Sequence, residues 1–369
     1  MSDEGYEMEY IKEAFSTNWI APLGKNVDEF EKEFADRVGS KHAVAVSSGT
    51  AALHLALMAA EVTEGDIVFC QSLTFAASAN PIIYQNAIPV FIDSDYRTWN
   101  MCPIALRKAF EKYSKLGKKP KAVIVVHLYG LSADLEEIMG ICKEYGATVI
   151  EDAAESLGSL YKGQQTGTFA DYGIFSFNGN KIITTSGGGM LVSNTEERVK
   201  KARFWATQAR EPARHYEHRE VGYNYRMSNV VAGIGRGQLK VLDERVTKKR
   251  YIFGFYKKEL GALPGVQFMP VNKWDEPNCW LSCILLNGGV TPLRIMEALE
   301  AENVESRPIW KPMHLQPVYV DYDYITASEG TSVSNDIFAR GICLPSDTKM
   351  TDDDLDRVTG IIKGLWARK

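Results

Sequence analysis

The chain has 369 residues, 45% of them hydrophobic and 24% charged, which excludes a disordered chain and predicts about two or three domains around a large core. Its 42 Lys and Arg against 47 Asp and Glu leave a net charge of −5, so the overall balance does not suit a nucleic-acid backbone, although one pocket can still be locally positive. The N-terminus MSDEGYEMEY is acidic without an apolar stretch, and no run reaches the ~18 apolar residues of a span, so neither a signal peptide nor a membrane segment is expected, and the predicted location is cytoplasmic.

In chain order, apolar runs alternate with helical patterns. Strands are predicted at Ala43–Val46, Asp66–Cys70, Ile88–Asp93, Ala122–His127, Ala147–Glu151, Ile174–Phe177 and Met190–Ser193. Helices are predicted at Thr50–Ala60, Pro103–Tyr113 and Leu135–Tyr145. Near-continuous apolar strands between helices imply an α/β fold with a mostly parallel central sheet covered on both faces. Asp243–Leu260 reads as a long charged helix linking two domains. Beyond about Leu263 the pattern is sparser, with strands at Trp280–Leu286 and Gly341–Leu344 and helices at Pro292–Glu302 and Asp352–Trp366, which suggests a smaller α+β domain. The six cysteines are scattered and mostly lie in apolar runs. The Cys279–Cys283 spacing lacks a second pair, so reduced core thiols and no metal site are expected.

Four segments carry chemistry. In Val46-Ser47-Ser48-Gly49-Thr50-Ala51 a strand turns through small residues into a helix, whose free N–H groups suit an anion, or else form a plain N-cap. Phe75, in the loop after the second strand, is either a core aromatic or a cover for a flat ligand, with Thr74 fixing the loop. Glu151-Asp152 ends an apolar strand, where a carboxylate can pair with a protonated ring nitrogen or cap the next turn. In Ser176-Phe177-Asn178-Gly179-Asn180-Lys181, ahead of Gly187-Gly188-Gly189, one lysine lies between two strands without charged neighbours; a buried amine of that kind can attack an aldehyde. Pyridoxal phosphate is the cofactor that needs all four parts together: anion site, stacking aromatic, carboxylate and lysine.

These motifs resemble the DegT/StrS-type sugar-nucleotide aminotransferases. Further shared runs are Asn18-Trp19-Ile20-Ala21-Pro22-Leu23-Gly24, Gly222-Tyr223-Asn224-Tyr225-Arg226, Arg307-Pro308-Ile309-Trp310-Lys311-Pro312-Met313-His314 and Gly341-Ile342-Cys343-Leu344-Pro345, and the likeness spans about Ile11 to Trp366. The resemblance implies the fold-type I architecture of aspartate aminotransferase, with a cofactor-binding domain over 1–242 and a small domain over 243–369. It implies Lys181 as the Schiff-base lysine, Asp152 on the ring nitrogen and Phe75 on the ring. Thr50, Ser176 and the N–H of Ala51 would hold the phosphate, and Glu155 would face the ring hydroxyl, where many relatives have Gln. Asn224 would reach the cofactor of a second subunit, which makes the protein a homodimer. Arg226, Arg307 and His314 would approach the substrate. The basic run Arg210, Arg214, His215, His218 and Arg219 would aid that approach or form a solvated loop.

The resemblance further implies transfer of the amino group of L-glutamate to the C-4 ketone of a UDP-linked 4-keto-6-deoxy-N-acetylhexosamine. The product is a UDP-4-amino sugar for polysaccharide or glycan synthesis. C-3 specificity, or a GDP- or dTDP-linked substrate, is the alternative. A sister group of dehydratases has His at the lysine position, and Lys181 sets it aside. A nicotinamide-dependent oxidoreductase would want G-x-G-x-x-G after an early strand, and Ser47-Ser48-Gly49-Thr50 does not fit it.

Overall fold

The computed structural model describes residues 1–367. Its centre is an eight-stranded sheet. The strand order is His42–Val46, Gly189–Ser193, Tyr172–Ser176, Thr148–Asp152, Ala122–Val126, Ile67–Gln71, Ile88–Ile92 and Tyr324–Ile325. Only Gly189–Ser193 runs against the others, so the sheet is mostly parallel, as the apolar runs predict. The central strands are buried on both faces. Because seven of these strands end on one side of the sheet, the loops after Val46, Gln71, Asp152 and Ser176 meet there, and Gly189 starts there.

The helix Gly49–Ala59 is apolar nearly all round, with residues 51–57 all buried, as suits a helix in the interior of an α/β fold. Its first turn fits against the sheet only because Gly189 has no side chain. A Cβ there would come within 2.4 Å of the backbone of Ser48.

Several elements lie outside the sequence reading: the helices Tyr6–Ser16, Lys25–Val38, Glu196–Ala206, Asn229–Lys240 and Val333–Arg340, and a set of two- and three-residue strands. Asn229–Lys240 is instructive. Gly233, Gly235 and Gly237 weaken its intrinsic helicity. They are nonetheless needed, because a Cβ at Gly235 would meet the Phe30 ring at 2.6 Å and one at Gly237 the backbone of Glu7 at 2.6 Å. Tertiary packing overrides propensity here.

The C-terminal part forms a four-stranded antiparallel sheet in the order Val266–Phe268, Ser282–Leu286, Gly341–Leu344 and Arg307–Pro308. The helix Leu242–Leu260 leads into it. Leu242 and Val246 pack with the large sheet, while Ile252, Tyr256 and Leu260 pack with the small one. Two short segments cross back. Asp275–Glu276 pairs with Leu160–Tyr161, and Tyr324–Ile325 pairs in parallel with Ile88–Ile92. All six cysteines are buried and unpaired, including Cys283 and Cys343, whose Sγ atoms face each other at 3.5 Å. Among the described residues no helix is long and apolar enough to cross a membrane, and no three metal-ligating side chains cluster.

Candidate active site

A cavity of about 300 Å³ lies at the sheet edge where these loops meet. Thr50, Phe75, Asp152, Glu155, Ser176 and Lys181 all line it, although up to 131 residues of sequence separate them.

Its anion end is the start of the helix Gly49–Ala59. Ser48 caps this helix, its Oγ accepting from the Ala51 N–H at 3.0 Å. The Ala51 N–H, expected at a phosphate, is used by this cap, and Ala51 is absent from the lining. Ser48, Gly49 and Thr50 line the cavity instead, with the Ser176 hydroxyl beside them. The N–H groups of Gly49 and Thr50 belong to the first turn, which has no intrahelical acceptors and carries the positive dipole end.

Strand alternation separates the acidic pair. Glu151 points away from the cavity, where the N–H groups of Gly167, Phe169 and Ala170 donate to it at 2.7, 2.7 and 2.8 Å. His127 accepts from the Ala133 N–H at Nδ1 and so donates from Nε2 to Glu151 at 2.9 Å. Asp152 faces the cavity. Its Oδ2 accepts from Ser78 Oγ at 2.7 Å, Ser78 in turn accepts from Thr74 Oγ1 at 2.7 Å, and its Oδ1 accepts from the Ala154 N–H at 3.2 Å. Asp152 thus keeps a fixed orientation with lone pairs to spare.

Lys181 Nζ lies 3.5 Å from Glu155 Oε1 and 4.1 Å from the centroid of the Trp280 ring, and its side chain is only 12% exposed. Burial pushes the Glu155 carboxyl above the usual carboxylate range, while the Lys181 ammonium and the Tyr129 N–H, 2.7 Å from Oε2, pull it back. Tyr129 holds a left-handed backbone (φ 56°), and its OH accepts from the Trp310 N–H at 2.9 Å. Trp310 and Phe75 close the mouth with ring centroids 5.8 Å apart, and Phe75 is 57% exposed.

Other predicted residues lie elsewhere. Arg226, expected to approach the substrate, ties elements within the chain. Its guanidinium is 7% exposed and donates to Glu31 at 2.6 Å and to the Ala45 carbonyl at 3.0 Å. The physical reason is that Glu31 also accepts from the Ala45 N–H and from Arg203, so a buried carboxylate collects these donors beside the first strand. His314 is likewise built in. Its ring stacks on Tyr324 with centroids 3.5 Å apart, Nδ1 accepts from Ser72 Oγ at 2.7 Å, and burial lowers its pKa. Arg307 is exposed, pairs with Glu305, and rims a second cavity of about 920 Å³ that shares Asn180, Trp280 and Trp310 with the first. Asn224 is exposed and lies outside the cavity. In the basic run, His215 and Arg219 both pair with Glu217, and Arg210 covers the Tyr216 ring.

Sequence reasoning missed Trp280, Ser78 and the role of Trp310. Trp310 sits inside the segment Arg307–His314 and was available there. Trp280 follows an ordinary Pro277-Asn278-Cys279 with no local motif, so only the tertiary fold reveals it.

The sequence pattern of the DegT/DnrJ/EryC1/StrS aminotransferase family matches residues 2–363. EpsN of Bacillus subtilis, whose name assigns it provisionally to the pyridoxal phosphate-dependent aminotransferases, is 57% identical over 98% of this chain and 93% of its own. A GDP-perosamine synthase of Caulobacter vibrioides is 37% identical over 96% and 94%. A crystal structure of a DegT DnrJ EryC1 StrS aminotransferase from Brucella abortus superposes with a TM-score of 0.91 at 28% identity, covering 98% of this chain and 95% of that one.

Proposed function

Since the chain belongs to the DegT/DnrJ/EryC1/StrS aminotransferase family and is a pyridoxal phosphate-dependent sugar aminotransferase, we propose that its acceptor is the C-4 ketone of a UDP-linked 4-keto-6-deoxy-N-acetylhexosamine and its donor L-glutamate. The products are 2-oxoglutarate and a UDP-4-amino sugar for polysaccharide or glycan synthesis.

The single observation that carries this reading is the meeting of Lys181, Asp152 and a helix N-terminus in one cavity. The donor set suits pyridoxal phosphate. There is an amine for an aldehyde, a carboxylate with free lone pairs for a pyridinium nitrogen, and hydroxyls with helix N–H groups for a phosphate dianion. When bound, the cofactor supplies the carrier of the amino group and an electron sink. The protein supplies the rest. Thr50, Ser176 and the first turn of Gly49–Ala59 hold the phosphate. Asp152, oriented by Ser78, keeps the ring nitrogen protonated, and Phe75 covers the ring. Glu155 meets the ring hydroxyl. Lys181 Nζ would take the proton from the carbon that bears the donor amine and pass it on within the same half-reaction, and in the second half-reaction would run that transfer in reverse to place one proton on the acceptor carbon.

The neighbouring cavity, with Arg307 at its rim, offers room for the nucleotide part. The exposed Asn224 suits service to a second subunit's site, and so supports a homodimer. The division into a cofactor domain over 1–242 and a small domain over 243–369, and a cytoplasmic location, belong to the same reading. The GDP-perosamine synthase relatives favour a GDP-linked sugar as the second reading.

The test is to incubate the purified protein with L-glutamate and UDP-, GDP- and dTDP-linked keto sugars, and to identify products by mass and NMR. A UDP-4-amino sugar formed with an equal amount of 2-oxoglutarate supports the proposal. Turnover of the GDP-linked sugar alone moves the reading to the second, and a 3-amino product overturns the C-4 assignment.

A further inference from the structure

Trp280 is held more firmly than packing alone requires. Its indole N–H donates to the Asn180 carbonyl at 2.7 Å, and its backbone N–H donates to Asn278 Oδ1 at 2.8 Å. Its carbonyl accepts from Lys249 Nζ at 2.9 Å. Lys249 is itself buried, donates also to the Ser346 carbonyl, and pairs with no carboxylate side chain among the described residues. Asn278 is fixed in turn, its amide donating to the carbonyls of Glu155 and Leu157 at 2.9 Å. Between them Cys279 adopts a left-handed backbone (φ 52°), which a residue with a Cβ keeps only where its surroundings over-determine it. So held, the ring lies with its centroid 4.1 Å from Lys181 Nζ. The charged groups lining the cavity are Asp152, Glu155 and Lys181 itself.

We infer that Trp280 is a catalytic residue whose ring face holds the free Lys181 ammonium against Glu155, and that Lys249 is a positioning residue that sets the ring from behind. The inference rests on the reading of Lys181 as the cofactor lysine. During turnover that amine is released and must stay aimed at the reacting carbon while carrying a proton. Glu155 alone is a poor clamp, because at 3.5 Å its contact is long and one-sided. The electron-rich ring adds a second contact to the ammonium without offering a proton acceptor. Loss of the ring's negative face leaves the cavity shape intact but frees the amine.

The experiment replaces tryptophan by 5-fluoro-, difluoro- and trifluorotryptophan in the full chain, which drains the ring's negative face at nearly constant shape. The cofactor is removed, and the rate of Lys181 acetylation by acetic anhydride at one fixed pH is read by peptide mass spectrometry. The rate should rise stepwise through the series, by between about 3-fold and 30-fold at the end. The Trp280→Phe background, labelled the same way, should show no trend. A flat series in the wild-type background, or an equal trend in the Phe background, overturns the inference. Lys249→Met should raise the rate like the trifluoro ring and Lys249→Arg should restore it; wild-type labelling in a folded Lys249→Met chain removes Lys249 from the proposal. Borohydride reduction of the yellow holoenzyme followed by peptide mapping tests the role of Lys181 separately, since a label on another lysine would leave the fluorotryptophan result unchanged.

Discussion

Ser78 Oγ donates to Asp152 Oδ2 at 2.7 Å, and that one bond fixes which lone pairs of the carboxylate face the cavity. Ser78 comes from the loop after the strand Ile67–Gln71, so two strands separated by Ala122–Val126 cooperate to aim one carboxylate. Asp152→Asn should lower turnover by on the order of 100-fold or more, the loss typical of removing a preorganised electrostatic contact. Ser78→Ala should cost about 10-fold, because it loosens the carboxylate without removing it. Single-turnover kinetics with L-glutamate checks both, and equal losses in the two variants would contradict the order of importance.

Lys181→Ala should still take up pyridoxal phosphate, through the groups at the helix start and Asp152, but should not be trapped by borohydride and should not turn over. Absorbance of the dialysed variant and peptide mapping provide the check. Sustained turnover by this variant would refute the assignment.

Gly189→Ala should weaken cofactor binding more than it weakens the fold. The added Cβ would come within 2.4 Å of Ser48 and push the first turn of Gly49–Ala59 out of place. Overpacking of this kind costs about 1–3 kcal/mol. Equilibrium dialysis and a thermal melt of the cofactor-free chain separate the two effects.

Arg226→Leu should destabilise the chain by about 3 kcal/mol, since it leaves the buried Glu31 carboxylate with fewer partners. Denaturant unfolding measures this. A loss confined to the KM for the sugar nucleotide, with stability unchanged, would return Arg226 to the substrate.

His54 gives a pH dependence of defined sign. Its ring is buried, accepts from the Gln85 amide at Nε2 (2.6 Å) and faces Tyr225 OH at Nδ1 (3.3 Å). Burial lowers its pKa to about 4. The unfolded chain therefore binds one more proton than the folded chain between about pH 4 and the ordinary histidine value near 6.5. The stability contributed by neutral His54 is complete above about pH 6.5 and is lost as pH falls, by up to roughly 1.4 kcal/mol per pH unit. Unfolding series across this range should be shallower for His54→Gln than for the native chain by about that slope.

The sequence is most informative where local rules and global fold agree. The apolar strands and the helix Leu135–Tyr145 are legible because burial on both faces and helical spacing leave few alternatives. The cavity residues Thr50, Asp152, Ser176 and Lys181 are legible because each lies at or shortly after a strand end, and a parallel sheet brings strand ends together. Arg226 and His314 illustrate the limit. A charged or titratable side chain near a motif reads as a ligand contact, and the sequence does not reveal that Glu31 and Tyr324 also hold these two, because those partners are not marked by any local motif. The glycines of Asn229–Lys240 mask a helix, because their reason lies in the packed helices Tyr6–Ser16 and Lys25–Val38. Trp280 is invisible for the same cause, since its meaning depends on Asn278, Lys249 and Lys181 converging from three separate segments.

The return of Tyr324–Ile325 to the large sheet also sets a timetable. Tyr324 pairs with Phe91, and roughly 230 residues of chain lie between them. At about 5–20 residues per second of synthesis, Ile88–Ile92 waits roughly 10–50 seconds with one backbone edge unpaired. An unpaired edge invites strands from other chains. Newborn copies on one message are thus exposed to each other until their last quarter emerges, and slower translation lengthens that risk.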